Sequence, residues 1–220
     1  AILMANPPLP EAFSLTGGGV FCENSNGLEI ALSGSQIGIQ YQLKIQQQSI
    51  GNPIPGNGKP ISFGLHNQAG SYSVTATSIA TNCAADMSGI AILTTYPLPT
   101  DVALSGGGIS FCQTPLSILM ESSQAGVSYQ LKRNNVNLGN PIQGTGTPLV
   151  FSGLTQAGTY SIVATTSVGN CTRTLSDEII IQTRNAPTAY NLIGGGASCS
   201  GSPVNIQLSN SQIGVLYQLK

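Results

Sequence analysis

The chain has 220 residues, only 7% of them charged, and a formal net charge of −1. With seven Lys and Arg in all there is no basic face to neutralise phosphates, which argues against a nucleic-acid partner. The 40% hydrophobic content can bury a core, which argues against a disordered tail. No apolar run approaches the ~18 residues of a membrane helix, so no membrane insertion is expected in this segment.

In chain order, "AILMANPPLP" at the start aligns with "AILTTYPLP" from Ala91. Residues 1–8 therefore read as the last strand of a preceding unit and its linker. Gly17–Gly19 follow, read as kinks where a first strand switches sheets. "LEIALS" puts Leu28, Ile30 and Leu32 on one face, and "IQYQLK" puts Ile39, Tyr41 and Leu43 inward with Gln42 and Lys44 turned outward to solvent. "GNPIPGNGKP" is a long Gly/Pro connection. Ile61 and Phe63 mark another strand, "SYSVTAT" presents Tyr72, Val74 and Ala76, and "GIAILTT" supplies the last strand of the unit. No stretch has helical periodicity with caps. Roughly seven short strands per unit is the signature of an antiparallel sandwich.

The unit is repeated. "YQLK" stands at 41–44, 129–132 and 217–220, a spacing of 88 each time (129 − 41 and 217 − 129). "GNP" recurs at 51–53 and 139–141, "AGSY" at 69–72 matches "AGTY" at 157–160, and "GGG" opens at Gly17, Gly106 and Gly194. The expected organisation is the tail of one unit at 1–8, whole units at 9–97 and 98–186, and the first strands of another at 187–220. Tyr41, Tyr129 and Tyr217 are structural residues of the central strand. Tyr72 and Tyr160 follow a small turn and precede an alternating strand, the arrangement of a tyrosine corner, in which the hydroxyl bonds nearby backbone.

This order of motifs resembles the tandem Ig-like repeats of large Bacteroidota surface proteins: "FC", "LEIALS", "YQL", the Gly/Pro connection, "AG(S/T)Y", a second Cys and "P.P". SprB-like gliding adhesins and other type 9 secretion substrates look like this over the whole chain. Where that family often has Trp on the third strand, this chain has Leu43, Leu131 and Leu219. The resemblance implies an all-β fold of tandem Ig-like antiparallel sandwiches, end to end, in an extracellular protein of the cell surface.

Five cysteines follow the repeat. Cys22, Cys112 and Cys199 precede the second strand, and Cys83 and Cys171 follow the sixth. One bridge per unit gives Cys22–Cys83 and Cys112–Cys171, with the partner of Cys199 outside the chain. Each bridge is worth about 4 kcal/mol on a chain-entropy estimate and implies an oxidising compartment. The alternative is a bridge between units, Cys22 with Cys171, because the two turns lie at opposite ends of an Ig topology. The within-unit pairs are expected on the ground that Cys22 sits part-way up its strand.

No catalytic, cofactor-binding or metal-binding residues are expected, and no cofactor. His66, the only histidine, has Leu154 as its repeat equivalent, and the acidic residues do not recur. The glycine triplets precede a strand, whereas a phosphate cradle opens a helix. "NCT" at 170–172 fits a glycosylation sequon, but its counterpart is "NCA". The chain is expected not to be an enzyme. It reads as a structural stalk or filament segment of a long secreted adhesin, partnered by neighbouring repeats and by other copies in a fibre. The alternative is a set of ligand- or glycan-binding accessory modules of a secreted enzyme. Loop residues agree between units in Gly, Pro, Gln and Asn but not in aromatics, which favours spacing over recognition.

Overall fold

The computed structural model describes residues 7–220. The expected strand of a preceding unit falls mostly on 1–6, outside the described residues. Among the described residues every regular element is a β-strand. The first ten are β1 (Leu15–Gly17), β2 (Gly19–Cys22), β3 (Leu28–Leu32), β4 (Ile39–Ile45), β5 (Gln48–Ser49), β6 (Ile54–Pro55), β7 (Ile61–His66), β8 (Gly70–Ser78), β9 (Ala84–Asp86) and β10 (Ala91–Tyr96). They form two sheets. One has the order β1-β3-β7; the other has β2-β10-β8-β4-β5, with β6 also on β4 and β9 also on β8. All pairings are antiparallel except β2 with β10, which run parallel.

The same ten strands recur as β11 (Leu104–Gly106), β12 (Gly108–Phe111), β13 (Leu116–Met120), β14 (Val127–Arg133), β15 (Val136–Asn137), β16 (Ile142–Gln143), β17 (Leu149–Leu154), β18 (Gly158–Thr166), β19 (Thr172–Thr174) and β20 (Ile179–Arg184). Their sheet orders are identical. A sandwich with the first strand split between both sheets, and its second half parallel to the last strand, is an Ig-like topology.

The glycine triplets make that split possible. Gly17 and Gly106 have φ of 108° and 107°, and a Cβ on them would stand 2.2 Å from Glu29 O and 2.3 Å from Ser117 O. Only glycine lets the chain leave β1 or β11 so close to the neighbouring strand's backbone and cross to the other sheet.

Alternation along the strands builds the core. Ile30, Leu32, Tyr41, Leu43, Tyr72, Val74, Ala76 and Leu93 are buried in the first sandwich, and Ile118, Met120, Tyr129, Leu131, Tyr160, Ile162 and Ile181 in the second. Leu28 and Ile39 pack at the margin of the first cluster. The central strands β4 and β8 pair along seven residues, Ile39 with Ser78 through Ile45 with Tyr72.

Two readings of the third "YQLK" and of Gln42 are corrected here. The chain after Arg184 has only β21 (Leu192–Gly194) and β22 (Ile206–Leu208), paired antiparallel, and Tyr217–Lys220 forms no strand. The reason is pairing: β4 and β14 are held along their length by β8 and β18, and 217–220 has no such neighbour among the described residues. Gln42 does turn from the core, but it is half-buried, and its Nε2 donates to Ile50 O at 2.9 Å. Gln130 Nε2 likewise donates to Leu138 O at 3.2 Å. The second letter of "YQLK" therefore anchors the Gly/Pro connection that follows.

Candidate functional site: the junction between the sandwiches

The residues to be placed are five cysteines and five tyrosines. The tyrosines hold loops, Tyr41, Tyr72, Tyr129 and Tyr160 from within the cores and Tyr217 from an exposed position. The hydroxyls of Tyr41, Tyr129 and Tyr217 accept from the backbone N–H of Gln36, Gln124 and Gln212, each at 2.9 Å. Those of Tyr72 and Tyr160 donate to the carbonyls of Gln68 and Gln156, each at 2.8 Å and four residues upstream. Burial raises the Tyr72 pKa; burial, opposed by the Gln36 hydrogen bond, raises that of Tyr41. Close approach follows from this packing: a Cβ on Gly56 would lie 2.0 Å from Gln36 O, and one on Gly144 2.1 Å from Gln124 O. The recurring glycine of the Gly/Pro connection is thus fixed by the loop that the central tyrosine holds.

The cysteines depart from the within-unit scheme. Cys22 is bonded to Cys171, with a Cα–Cα distance of 5.4 Å and 149 residues between them, and Cys83, Cys112 and Cys199 are free. The pairs Cys22–Cys83 and Cys112–Cys171 are therefore corrected to one bridge between the two sandwiches. The reason lies in strand direction. Cys22 is the last residue of β2, not part-way up it, and its Cα partner is Tyr96, the last residue of β10. β10 runs antiparallel to β8, with Ala91 opposite Tyr72 and Leu93 opposite Gly70. Cys22 therefore lies beyond the start of β8, while Cys83 lies in the turn after its end. The nine residues of β8 separate these ends by about 30 Å at ~3.3 Å per residue, far beyond the ~7 Å that a disulfide tolerates between Cα atoms.

The junction is small and closely fitted. β2 and β10 leave the first sandwich side by side, and the β18–β19 turn of the second comes up against them. Cys171 is fully buried in that turn, and its backbone N–H donates to Thr166 Oγ1 at 2.9 Å. Cys22 Sγ lies 3.5 Å from Gly169 O and Cys171 Sγ 3.9 Å from Tyr96 O. Gly169 has φ of 72°, and a Cβ there would stand 3.1 Å from Val20 Cγ1 and 3.7 Å from Tyr96 Cβ. Glycine at 169 lets the turn reach the other sandwich.

The free cysteines occupy two kinds of position. Cys83 holds the place of Cys171: Ser78 N–H donates to Cys83 O and Thr166 N–H to Cys171 O, each at 2.9 Å, and the preceding Asn82 and Asn170 have φ of 56° and 50°. Cys112 is one residue out of step with Cys22. Phe111 takes the strand-end slot opposite Arg184, and Cys112 follows it with φ of 51°. The cause is the extra residue between Gly106–Gly108 and the cysteine. Cys199 keeps the spacing of Cys22 from its triplet.

Polar side chains elsewhere serve the scaffold. His66 is half-buried, its Nε2 3.1 Å from Phe63 O and its ring 5.3 Å from that of Tyr72. Asp86 accepts from Thr75 Oγ1 at 2.6 Å, and Asp177 accepts from Leu104 N–H at 2.9 Å. Asp101 accepts from Ser176 N–H at 3.0 Å, and hydrogen bonding from Ser176 holds its pKa below the ordinary aspartate value. Among the described residues no three His, Cys, Asp or Glu side chains gather as a metal site would require. No helix among them is long and apolar enough to cross a membrane.

The chain is a tandem of Ig-like β-sandwiches. No family model and no curated protein matches its sequence. Solved structures similar to it include murine CEACAM1b, at 10% identity and a TM-score of 0.41, covering 78% of this chain and 100% of that one. The FN1–FN3 domains of chicken CNTN1 match at 14% identity and a TM-score of 0.41, over 80% of this chain and 68% of that one. The fibronectin(III)-like modules of Clostridium thermocellum CbhA match at 8% identity and a TM-score of 0.39, over 78% of this chain and 94% of that one. The assignment of fold rests on strand order and register.

Proposed function

We propose that the chain is a tension-bearing spacer: part of a stalk or filament in a long secreted adhesin of the SprB-like, type 9 secreted kind, with units at 9–97 and 98–186 and a further one beginning at 187. The observation that carries this reading is the Cys22–Cys171 bridge. A bond between sandwiches contributes nothing to a pocket. It fixes one unit to the next and lets tension bypass both folds. It also belongs to oxidising surroundings, such as the outside of a cell. The side chains that recur between units are spent on loops and cores, which further supports spacing over chemistry.

Pulling the chain from its two ends in a single-molecule force experiment tests the reading. In the reduced chain each unit of about 88 residues should release roughly 300 Å of contour at ~3.5 Å per residue. In the oxidised chain the 149 residue steps from Cys22 to Cys171 are held out of the force path. Release should then fall to about 100 Å, from the few residues of each unit outside the bridge. Two full-length unfolding events in the oxidised chain would refute a tension-bearing role.

A further inference from the structure

We propose that Cys83 is the receiving half of a second inter-unit bridge, whose other half is the cysteine closing the Gly-Gly-Gly strand of an identical unit placed before this one in the same polypeptide. The inference rests on the tandem reading above and extends it from one junction to the junction on the other side of the first sandwich. Three observations converge. Cys83 lies in the same turn as Cys171, with the same backbone hydrogen bond at 2.9 Å and a left-handed Asn before it. Its equivalent, Cys171, is bonded to the strand-end cysteine of the sandwich before it. And in the third copy a cysteine, Cys199, stands at the same distance from the triplet as Cys22 does in the first. The docking surface is continuous with the interface already formed. Pro8, Leu9 and Pro10, the linker residues ahead of the first sandwich, lie with Thr81 of this turn around one shallow cleft, as Tyr96 lies against Gly169 at the bridged junction.

The chemistry is thiol–disulfide exchange. The thiolate of one cysteine attacks a sulfur of a disulfide oxidant, protein or small molecule, forming a mixed disulfide and releasing one oxidant thiolate. The second cysteine's thiolate then attacks the protein sulfur of that mixed disulfide and displaces the other. One S–S bond forms between the units, the oxidant's S–S bond is reduced to two thiols, and the two protons lost by the cysteines end on those thiols.

The test is made on the intact protein, blocked with N-ethylmaleimide, denatured, and digested with trypsin and chymotrypsin without reduction. Mass spectrometry should find the Cys83 peptide joined to a peptide carrying Gly-Gly-Gly-x-x-Cys from the preceding unit, at least tenfold over its alkylated form. Changing that preceding cysteine to Ser should restore one equivalent of alkylation at Cys83. Alkylated Cys83 beside an intact preceding unit, or Cys83 joined to Cys112, overturns the inference and leaves the tandem reading standing. An intact chain with no preceding unit overturns both.

Discussion

Replacing Cys22 by Ser should destabilise both sandwiches, not one, and the size follows from the register of β2. Cys22 and Tyr96 are Cα partners, so once the first sandwich is folded the bridge is in effect anchored at Tyr96. Unfolding the second sandwich alone then leaves a closed loop of 75 residue steps (171 − 96) between Tyr96 and Cys171. Unfolding the first alone leaves one of 82 (104 − 22), from Cys22, held at Cys171, to Leu104 at the start of β11. Closing such a loop removes about 4.5 kcal/mol of unfolded-state entropy on the chain-entropy estimate. At 4–8 °C per kcal/mol for a domain of this size, each transition should fall by about 20 °C or more. Differential scanning calorimetry of Cys22→Ser, and of the unaltered chain with and without a phosphine reductant, measures this. Cys22 is preferable to Cys171, because Cys171 is fully buried and its replacement carries a packing cost of its own. The variant and the reduced chain should agree within a few degrees, and Cys83→Ser should leave both transitions in place. Transitions unmoved by Cys22→Ser, or lowered instead by Cys83→Ser, would refute the reasoning.

Most of the sandwich was legible because period-two alternation and an exact spacing of repeats report on the same thing, a buried face. Ile30, Tyr41, Leu43, Tyr72 and Val74 are all buried. The two tyrosine corners were legible from turn residues that recur with the ring. The bridge was legible only as one of two alternatives. Alternation says which side of a sheet a residue faces, not at which end of the sandwich it lies. Choosing between Cys83 and Cys171 needed two facts of pairing: that β2 lies parallel to β10, and that Cys22 is opposite the last residue of β10. Nothing local to "GGGVFCENS" encodes either. The slip of Cys112 to the residue after the strand end arises from a single insertion, visible as four residue steps from Gly108 to Cys112 (112 − 108) against three from Gly19 to Cys22 (22 − 19), but its consequence depends on the register of β12 with β20. The role of Gln42 is hidden from alternation, which marks a side chain as outward without saying whether solvent or backbone receives it. In a sandwich whose edge carries a long connection, an outward amide has backbone to hold.

The remaining predictions concern single residues. Tyr160→Phe removes the hydroxyl's bond to Gln156 O and should cost the second sandwich about 1 kcal/mol in a urea titration, with the slope unchanged. Gly144→Ala should cost more, about 2 kcal/mol or above, because its Cβ meets backbone and the Tyr129 ring rather than a movable chain end. Asp101 has its pKa lowered by Ser176, so its contribution is complete above the unfolded pKa and is lost as pH falls through the folded one. Asp101→Asn should therefore flatten the stability profile of the second sandwich below about pH 4 and leave its slope near neutrality unchanged. The last prediction uses the two sandwiches as controls for each other. The β4–β5 hairpin turns on Gln46 and Gln47, with φ of 48° and 70°, and the β14–β15 hairpin on Asn134 and Asn135, with φ of 50° and 66°. Both are two-residue turns with left-handed backbone at each centre, a conformation that favours Asn or Gly over Gln. Asn134 does a second thing: its Oδ1 accepts from Thr159 N–H at 3.0 Å, and Ser71 is the equivalent of Thr159 in the first sandwich. Gln46→Asn should gain the backbone preference and the same hydrogen bond, together about 1 kcal/mol, raising the first transition by about 4–8 °C. Asn134→Gln should lower the second by a similar amount. Movement of the two transitions in the same direction, or of neither, would show that the hairpin turns do not limit the stability of the units.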